Sequence, residues 1–453
     1  MSGDDLIVAT YAIRAGTEAE AEVVARAIAS TQSTGTWVAL AQETGDLRDR
    51  RAARILSLSA AGPGAGAGWD GGAAWDGGTG RDGSEGPDGG EAVDGDERSW
   101  TLRLGFPREN VAGQIPLLLA TVYGEAASAA DMRLVDLVLP PAFTDAFPGP
   151  RLGIAGLRER LGAHGRPLLI TMVKPALGLS PDQSAEVVRA AAMGGADLIK
   201  DDELLVSLPE SDPVARVRAH ERALREVREE TGHRAVYFVN VTDRPDRMVE
   251  RARRAVDAGA TGIMVDHLTA GTASLAMLAE DPSVDVPILA HFAFSAATSS
   301  PGRTGVAPHV LIAALPRLAG GDVLVYPSPF GSLRFTSEDQ ARVVRAATAP
   351  VGGIRPAWPM PGGGLHAGLV PRHVRDLGVD HAFGAGGAVH GHPMGTRAGA
   401  AAIRQAMDAA VAGCPLEDAA AEHQELAAAL ALWPEPAPGP AEHPVGHTTD
   451  GRL

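Results

Sequence analysis

The chain has 453 residues, of which 45% are hydrophobic, and a formal net charge of −16. This negative charge argues against nucleic acid or an anionic membrane surface as a partner. Its single cysteine, Cys414, allows no disulfide within the chain, and no segment resembles a signal peptide or a membrane-spanning helix. Together these features predict a soluble, cytoplasmic protein of about two to four domains.

The first part of the chain predicts an α+β domain over residues 1–143. Its strand and helix patterns lie at residues 6–11, 18–30, 100–104 and 132–139. Residues 61–98 are rich in Gly and Asp and contain almost no aliphatic side chains, so we expect a disordered insertion there. Pro140-Pro141 and Pro148-Gly149-Pro150 mark the end of this domain.

From about residue 165 onward, short apolar strands alternate with helices, a pattern typical of a parallel sheet. The eight candidate strands are residues 168–173, 197–199, 235–239, 262–265, 287–290, 322–325, 357–360 and 381–383. Eight such repeats in about 250 residues predict a TIM (β/α)8 barrel. A doubly wound sheet is the alternative, but no Gly-rich fingerprint follows the first strand. We therefore predict a barrel over residues 144–433 and a flexible Pro-rich tail over residues 434–453.

In a TIM barrel the chemistry lies at the carboxyl ends of the strands. The polar residues at the first five predicted strand ends are Lys174, Lys200, Asp202, Glu203, Asn240, Asp266, His267 and His291. Glycine clusters at Gly362–Gly364 and at Gly384, Gly386 and Gly387 follow the last two strands. Bare backbone amides at these positions predict a phosphate site.

The charged segment Lys200-Asp201-Asp202-Glu203 directly follows an apolar run. Carboxylates this close repel one another, and a divalent cation such as Mg²⁺, which prefers oxygen ligands, would relieve the repulsion. Asp201 is expected to be a supporting or surface residue rather than a ligand. The alternative interpretation of the whole segment is a solvated junction between a strand and a loop.

Several motifs resemble the large subunit of ribulose bisphosphate carboxylase (RuBisCO). They are VKPALGL at 173–179, GGADLIKDDE at 194–203, STGTW at 33–37, HLTAG at 267–271, GGGLH at 362–366 and GHPMG at 391–395. The resemblance implies a ferredoxin-like α+β domain followed by a TIM barrel. It also implies a homodimer, in which the N-terminal domain of one subunit covers the barrel mouth of the other.

The resemblance further assigns roles to individual residues. It implies that CO2 carbamylates Lys200 and that the carbamate binds Mg²⁺ together with Asp202 and Glu203. It implies proton transfer by Lys174. The positions that match phosphate-binding residues are Thr36, Trp37, Gly363, Gly364, Gly386 and Gly387. Asn240, His267 and His291 are candidates for contact with substrate, His291 also for catalysis, although either histidine could instead be structural.

Positions that a carboxylase needs are changed in this chain. The loop-six lysine that polarises CO2 falls on Ser332, the strand-six histidine on Val325 and the strand-five arginine on Ala293. Losing one electrostatic stabiliser of developing charge costs about 10²–10³ in rate. We therefore predict that the protein does not fix CO2 and that it resembles the non-carboxylating RuBisCO-like branch.

The predicted activity is Mg²⁺-dependent enolisation of a phosphorylated, ketose-type substrate. Isomerases, enolases and decarboxylases or hydrolases of methylthio-sugar and apiose catabolism are the candidate classes that the resemblance offers. Enolases of 2,3-diketo-5-methylthiopentyl-1-phosphate use an N-terminal-domain lysine as base, and that position is Glu125 here. This enolase therefore stands as an alternative, as does a non-catalytic regulatory or stress-linked homologue.

Overall fold

A computed structural model describes residues 5–35, 40–61, 98–128, 130–300, 302–333 and 335–436. The predicted insertion at 61–98 and the predicted tail at 434–453 fall almost entirely outside these residues. Within the described ranges, no helix is long and apolar enough to cross a membrane.

Thirteen strands form within the described residues. They are β1 Leu6–Ala15, β2 Arg54–Ala60, β3 Arg98–Pro107, β4 Met132–Val138, β5 Leu168–Met172, β6 Leu198–Lys200, β7 Val236–Asn240, β8 Gly262–Asp266, β9 Ile288–His291, β10 Gly305–Val306, β11 Val323–Pro327, β12 Trp358–Gly362 and β13 Ala382–Gly384.

The helices of the first half are α1 Glu18–Thr31, α2 Gly45–Arg51, α3 Ile115–Val122, α4 Pro141–Thr144, α5 Gly153–Leu161, α6 Pro181–Met193, α7 Pro213–Thr231 and α8 Pro245–Asp257. Those of the second half are α9 His267–Ala270, α10 Thr272–Glu280, α11 Ala296–Ser299, α12 Leu315–Leu318, α13 Ser337–Thr348, α14 Val370–Leu377, α15 Gly387–His390, α16 Thr396–Ala412, α17 Leu416–Glu422 and α18 Gln424–Leu432.

The chain divides into two compact units, Met1–Phe143 with Ala296–Ala307, and Thr144–Ser295 with Pro308–Leu453. The first unit holds a five-stranded sheet in the order β10-β4-β1-β3-β2. Strand β1 pairs antiparallel with both β3 and β4, which gives the βαββαβ arrangement of a ferredoxin-like domain. The α+β prediction is confirmed, and the excursion at 296–307, which adds β10, was not foreseen.

Arg133 holds this excursion to the first unit. Its side chain is buried, and its guanidinium donates hydrogen bonds to the backbone oxygens of Ser299, Ser300 and Thr304. Strand β10 then pairs with β4 in a parallel register. A buried arginine that donates to three carbonyl groups is a specific anchor, because leaving its donors unpaired would be costly.

The second unit is a closed barrel of eight parallel strands in the order β11-β12-β13-β5-β6-β7-β8-β9. Each strand lies within two residues of its predicted position, which confirms the TIM barrel. The strands are continuous apolar runs because both of their faces are buried. The side chains that fill the barrel include Leu168, Ile170, Leu198, Val236, Phe238, Met264, Leu289, Val323, Trp358 and Met360.

Helix starts follow local capping chemistry. The Ser180 hydroxyl accepts the Gln183 N–H, and the Gln183 side chain accepts the Ser180 N–H, so α6 begins with a capping box. Helix α13 begins at Ser337, and its cap is Thr336, whose hydroxyl accepts the Asp339 N–H.

Candidate active site

A cavity of about 270 Å³ lies at the carboxyl ends of the barrel strands. Its lining comprises Met172, Lys174, Lys200, Asp202, Glu203, His291, Phe292, Val325, Leu333, Met360, Gly362, Gly363, Gly364, Gly384, Gly386 and Gly387. Most of the residues that the sequence singled out therefore meet in one place. Thr36 and Trp37, which were predicted to bind phosphate, lie outside the described residues.

Two lysines and two carboxylates meet on the acidic side of this cavity. Lys174 Nζ donates to Asp202 Oδ2 over 2.6 Å. Lys200 is buried, and its Nζ donates to the Asp201 carbonyl over 3.0 Å and lies 3.4 Å from Glu203 Oε2. Lys174 keeps 41% of its side-chain surface exposed, so it can reach a molecule in the cavity.

These two residues are the only lysines among the 40 Lys and Arg residues of the chain. A sequence that uses arginine for every other basic position keeps an amine at two places, and both line the cavity. An amine can lose its proton and can react with CO2, whereas a guanidinium stays protonated in proteins. The distribution of lysine therefore points to amine chemistry at this site.

Asp201 points into the barrel wall and does not line the cavity. Its Oδ2 accepts Arg216 Nη2 at 2.8 Å and the Asn240 N–H at 3.0 Å, and its Oδ1 accepts the Tyr237 hydroxyl at 2.6 Å. Burial and the Asp201 carboxylate raise the pKa of Tyr237 well above its usual value, so the hydroxyl stays a donor. Asp201 is a buried support for the acidic segment.

Arg216 extends this support across the loop after β6. Its guanidinium is fully buried and also donates to the Ser211 carbonyl at 2.7 Å and to the Val206 carbonyl at 2.8 Å. Sequence reasoning missed this residue. The available signal was an arginine on the apolar face of α7, where Val217, Ala223 and Leu224 are also buried.

Asn240 and His267 lie behind the cavity rather than in its lining. Asn240 Nδ2 lies 3.4 Å from the Asp202 carbonyl and 3.3 Å from the Glu203 carbonyl, so it supports the backbone of the acidic segment. His267 Nδ1 lies 3.1 Å from the Thr272 hydroxyl, and burial lowers the pKa of His267 to about 3. Neither residue belongs to the cavity lining, and their contact with substrate stays a prediction.

His291 lines the cavity beside Glu203. Its Nδ1 accepts the Ala293 N–H at 3.2 Å, which leaves the ring proton on Nε2, 3.5 Å from Glu203 Oε2. Burial, with Lys200 nearby, lowers the pKa of His291 well below its usual value. The ring is therefore neutral and lies beside Glu203.

The acidic side fits a divalent metal held by a carbamate. Among the described residues, no three His, Cys, Asp or Glu side chains form a metal-binding set. Asp202 and Glu203 supply two carboxylates, and a carbamate on Lys200 would supply the third oxygen donor. Asp266 Oδ1 is buried without a hydrogen-bond partner 3.5 Å from His291 Nδ1, and a cation nearby would satisfy this orphaned anionic oxygen.

The glycine side is shaped by close contact between backbones. A Cβ on Gly331 would stand 1.6 Å from the Gly363 carbonyl oxygen, so no other residue fits there without a shift of the loop. Gly363 and Gly364 both have positive φ, +95° and +77°, a region that favours glycine. Both residues line the cavity, and their role in a phosphate site stays a prediction.

Two family models match this chain. The N-terminal domain of the RuBisCO large chain matches residues 1–66, and the catalytic domain matches residues 153–433, which is more than half of the chain. The chain belongs to the RuBisCO large-chain family. Ser332 and Val325, which replace carboxylase residues, place two neutral side chains at or near the cavity of this family member.

Similar proteins place the chain in the RuBisCO-like branch. A 2,3-diketo-5-methylthiopentyl-1-phosphate enolase of Geobacillus thermodenitrificans is 40% identical over 332 residues, 73% of this chain and 80% of the relative. A rubisco-like protein (MtnW) of Alicyclobacillus acidocaldarius has a TM-score of 0.82 at 35% identity, covering 95% of this chain and all of that one. Dimeric archaeal Rubisco of Hyperthermus butylicus has a TM-score of 0.80 at 31% identity, covering 96% and 97% of the two chains.

The predicted membership of the RuBisCO-like branch is thus confirmed. Glu125 of this RuBisCO-like protein lies in a short 3-10 helix of the first unit, Glu125–Ser128, and its side chain is exposed. Lys174 and Lys200 remain the only cations in the described lining of the cavity.

Proposed function

We propose that this RuBisCO-like protein enolises a phosphorylated, sugar-derived ketone, with Lys174 as the group that moves the proton. The observation that carries the proposal is the pairing of the chain's only two lysines with Asp202 and Glu203 in one cavity. Lys174 is the half-exposed member of the two, and Lys200 is the buried one.

Lys200, Asp202 and Glu203 would hold Mg²⁺, with CO2 supplying the carbamate on Lys200. Bound there, Mg²⁺ would act as a Lewis acid that makes a proton next to a substrate carbonyl easier to remove. Only a neutral amine can act as a base, and the Lys174 amine contacts Asp202, one of the carboxylates that would bind the metal.

The remaining lining indicates a substrate with one phosphate and one apolar end. Gly363, Gly364, Gly386 and Gly387 would hold the phosphate through their amides, and Thr36 and Trp37 are further candidates. Phe292, Val325, Leu333 and Met360 line the cavity as well and offer no charge to a second phosphate. 2,3-Diketo-5-methylthiopentyl-1-phosphate, named for the Geobacillus relative, is therefore the first substrate to test.

Glu125 bears on which group acts as the base. A carboxylate stands where the salvage enolases carry their lysine, which is why the proposal assigns proton transfer to Lys174. Isomerisation of a methylthio-ribulose phosphate, and decarboxylation or hydrolysis of an oxo-acid sugar phosphate, would begin with the same enolisation. A panel of such substrates covers all of these reactions.

Exchange of substrate protons in D2O tests the enzymatic proposal. With Mg²⁺ and bicarbonate present, proton NMR should show loss of one proton signal next to a carbonyl of a panel substrate. Lys174→Met should lower the exchange rate by about 10²–10⁴, the usual contribution of a general base. Absence of exchange for every substrate would favour the non-catalytic alternative, and equal exchange in the variant would remove Lys174 from the base role.

The carbamate has its own test, because only two lysines and the amino terminus can carry one. Incubation with ¹³C-bicarbonate and Mg²⁺ should give one carbamate signal in the ¹³C spectrum. Lys200→Arg should remove this signal and Lys174→Arg should keep it. A signal that persists in both variants would belong to the terminal amine, and the carbamate model would then be wrong.

We also propose a cytoplasmic homodimer. The solved archaeal neighbour is described as dimeric, and a single exposed cysteine suits a reducing compartment. Light scattering at micromolar concentration should give twice the chain mass of 46.6 kDa. A mass equal to one chain would contradict the dimer.

A further inference from the structure

Loop six, defined here as residues 328–333, is fastened to helix α14 by a buried pair of side chains. Ser328 and His373 are both fully buried, and Ser328 Oγ lies 3.2 Å from His373 Nε2. His373 Nδ1 lies 3.0 Å from the Leu369 carbonyl, which can only accept, so Nδ1 carries the ring proton. His373 Nε2 therefore accepts the proton of the Ser328 hydroxyl.

The same hydroxyl organises the loop that follows it. Ser328 Oγ accepts the Phe330 N–H at 3.3 Å, and the Ser328 N–H donates to the Gly362 carbonyl at 2.9 Å. The Phe330 ring packs with its edge against His373, and the Arg372 guanidinium lies 3.7 Å from its centre. Two consecutive residues of α14 thus contact loop six.

Loop six in turn contacts the glycine loop that lines the cavity. The Ser332 N–H donates to the Gly363 carbonyl at 3.1 Å. In a trans peptide the C=O and the following N–H point in opposite directions. The bond to Ser332 therefore turns the Gly364 N–H away from loop six, and this N–H makes no hydrogen bond within the described part of the chain.

We propose that His373 is a positioning residue for phosphate binding. It holds Ser328, Ser328 holds loop six, and loop six orients the peptide between Gly363 and Gly364 so that its N–H is available to a phosphate oxygen. This inference rests on the proposed phosphate site at the glycine loops. His373 itself does not line the cavity, so it acts only through the loop.

If His373 positions the glycine loop, variants of His373 and Ser328 that still fold should bind anions more weakly than the wild type. Inorganic phosphate is the probe, and its dissociation constant for the full-length protein is measured by calorimetric titration. His373→Leu and Ser328→Ala should each weaken phosphate binding roughly tenfold, equivalent to about 1.4 kcal/mol. His373→Gln should restore part of the affinity, because its amide oxygen can accept the Ser328 hydroxyl proton.

A matched control comes from a second buried Ser–His pair. Ser184 Oγ lies 2.7 Å from His220 Nε2 and both residues are buried, but neither belongs to the cavity lining. Ser184→Ala removes the same kind of bond and should leave the phosphate affinity unchanged. Gly387→Ala locates the bound ion: apart from its chain neighbours and its own helix backbone, the added Cβ meets nothing within 4 Å, so lost binding would reflect the cavity.

The outcomes separate the two proposals. Weaker binding in His373→Leu, Ser328→Ala and Gly387→Ala, but not in Ser184→Ala, supports the positioning role. Equal binding by wild type, Ser328→Ala and His373→Leu overturns that role and leaves the proposed function intact. If the wild type does not bind phosphate, or if Gly387→Ala binds it as tightly as the wild type, both the proposed function and the positioning role are overturned. If His373→Leu does not fold, Ser328→Ala and His373→Gln decide.

Discussion

The two sides of the cavity are held in place by different forces. On the acidic side, Asp201 is paired with buried Arg216 and Tyr237 behind the cavity wall. On the glycine side, Gly331 lies against the Gly363 carbonyl with no space for a side chain. The acidic side should therefore be sensitive to loss of charge, and the glycine side to added volume.

Asp201→Asn should have the largest effect on stability. The substitution keeps the volume but leaves the Arg216 guanidinium buried without its anionic partner. Breaking a buried ion pair in this way costs about 3–5 kcal/mol in the free energy of unfolding. Urea denaturation measures this loss, provided that the free energy of unfolding depends on urea concentration with the same slope in the variant and the wild type.

Glu226→Gln is the control for this charge effect. Glu226 lies on the same helix as Arg216, but its side chain is 53% exposed and 3.9 Å from Arg189. Removing an exposed charge should change stability by less than about 0.5 kcal/mol. If Asp201→Asn costs no more than this control, charge does not hold the acidic side.

Gly331→Ala should have the next largest effect. Its methyl group would overlap the Gly363 carbonyl, so loop six must move. Overpacking of this kind costs about 1–3 kcal/mol. Gly353→Ala, whose Cβ would meet nothing within 4 Å and whose φ is not positive, is the matched control in the same denaturation experiment. Two variants of equal stability would show that the close contact is not maintained in solution.

The response to pH should be the smallest effect per pH unit, and two buried histidines on the glycine side should contribute to it. Burial lowers the pKa of His373 to about 4 and that of His381 to about 3, against 6.5 for an unperturbed histidine. Below pH 6.5 each of these histidines binds a proton in the unfolded chain but not in the folded chain. The free energy of unfolding therefore falls as the pH decreases toward the two folded-state pKa values. Each histidine contributes at most about 1.4 kcal/mol per pH unit.

His381→Asn should reduce this slope, because it keeps a donor for the Gly378 carbonyl but cannot titrate. Gly353→Ala, which replaces no titratable group, should leave the slope as it is. Denaturation midpoints at several pH values between 4 and 7 compare the three proteins. A slope that His381→Asn does not change would mean that His381 accepts a proton in the folded state.

Local pattern was enough to predict the barrel and the acidic motif. The strands are uninterrupted apolar runs, and the charges of Lys200, Asp202 and Glu203 stand directly at a strand end, so neighbours in the sequence are neighbours in the site. The capping box of α6 is equally local. These features depend on residues that are close together in the sequence, so a single sequence is enough to predict them.

The supports behind the site could not be predicted in this way. Arg216 reaches Asp201 from a different element, and His373 reaches Ser328 across 45 residues. The position of Arg216 on the apolar face of α7 was a local signal, but it did not identify Asp201 as the partner. Strand β2, Arg54–Ala60, was also missed; it is largely exposed, although Leu56-Ser57-Leu58-Ser59 alternates apolar and polar residues. The scarcity of lysine was a signal that the sequence did contain.

The pairing of β10 with β4 has a consequence for folding during synthesis. The partner of β4 lies more than 160 residues later in the chain, so the ribosome must produce over half of the protein before this sheet acquires its edge strand. Until then Arg133 has no Ser299, Ser300 or Thr304 carbonyl to bind, and the exposed edge of β4 is open to pairing with other chains. A fragment that stops at residue 143 would keep that edge permanently and should aggregate more readily than the whole chain.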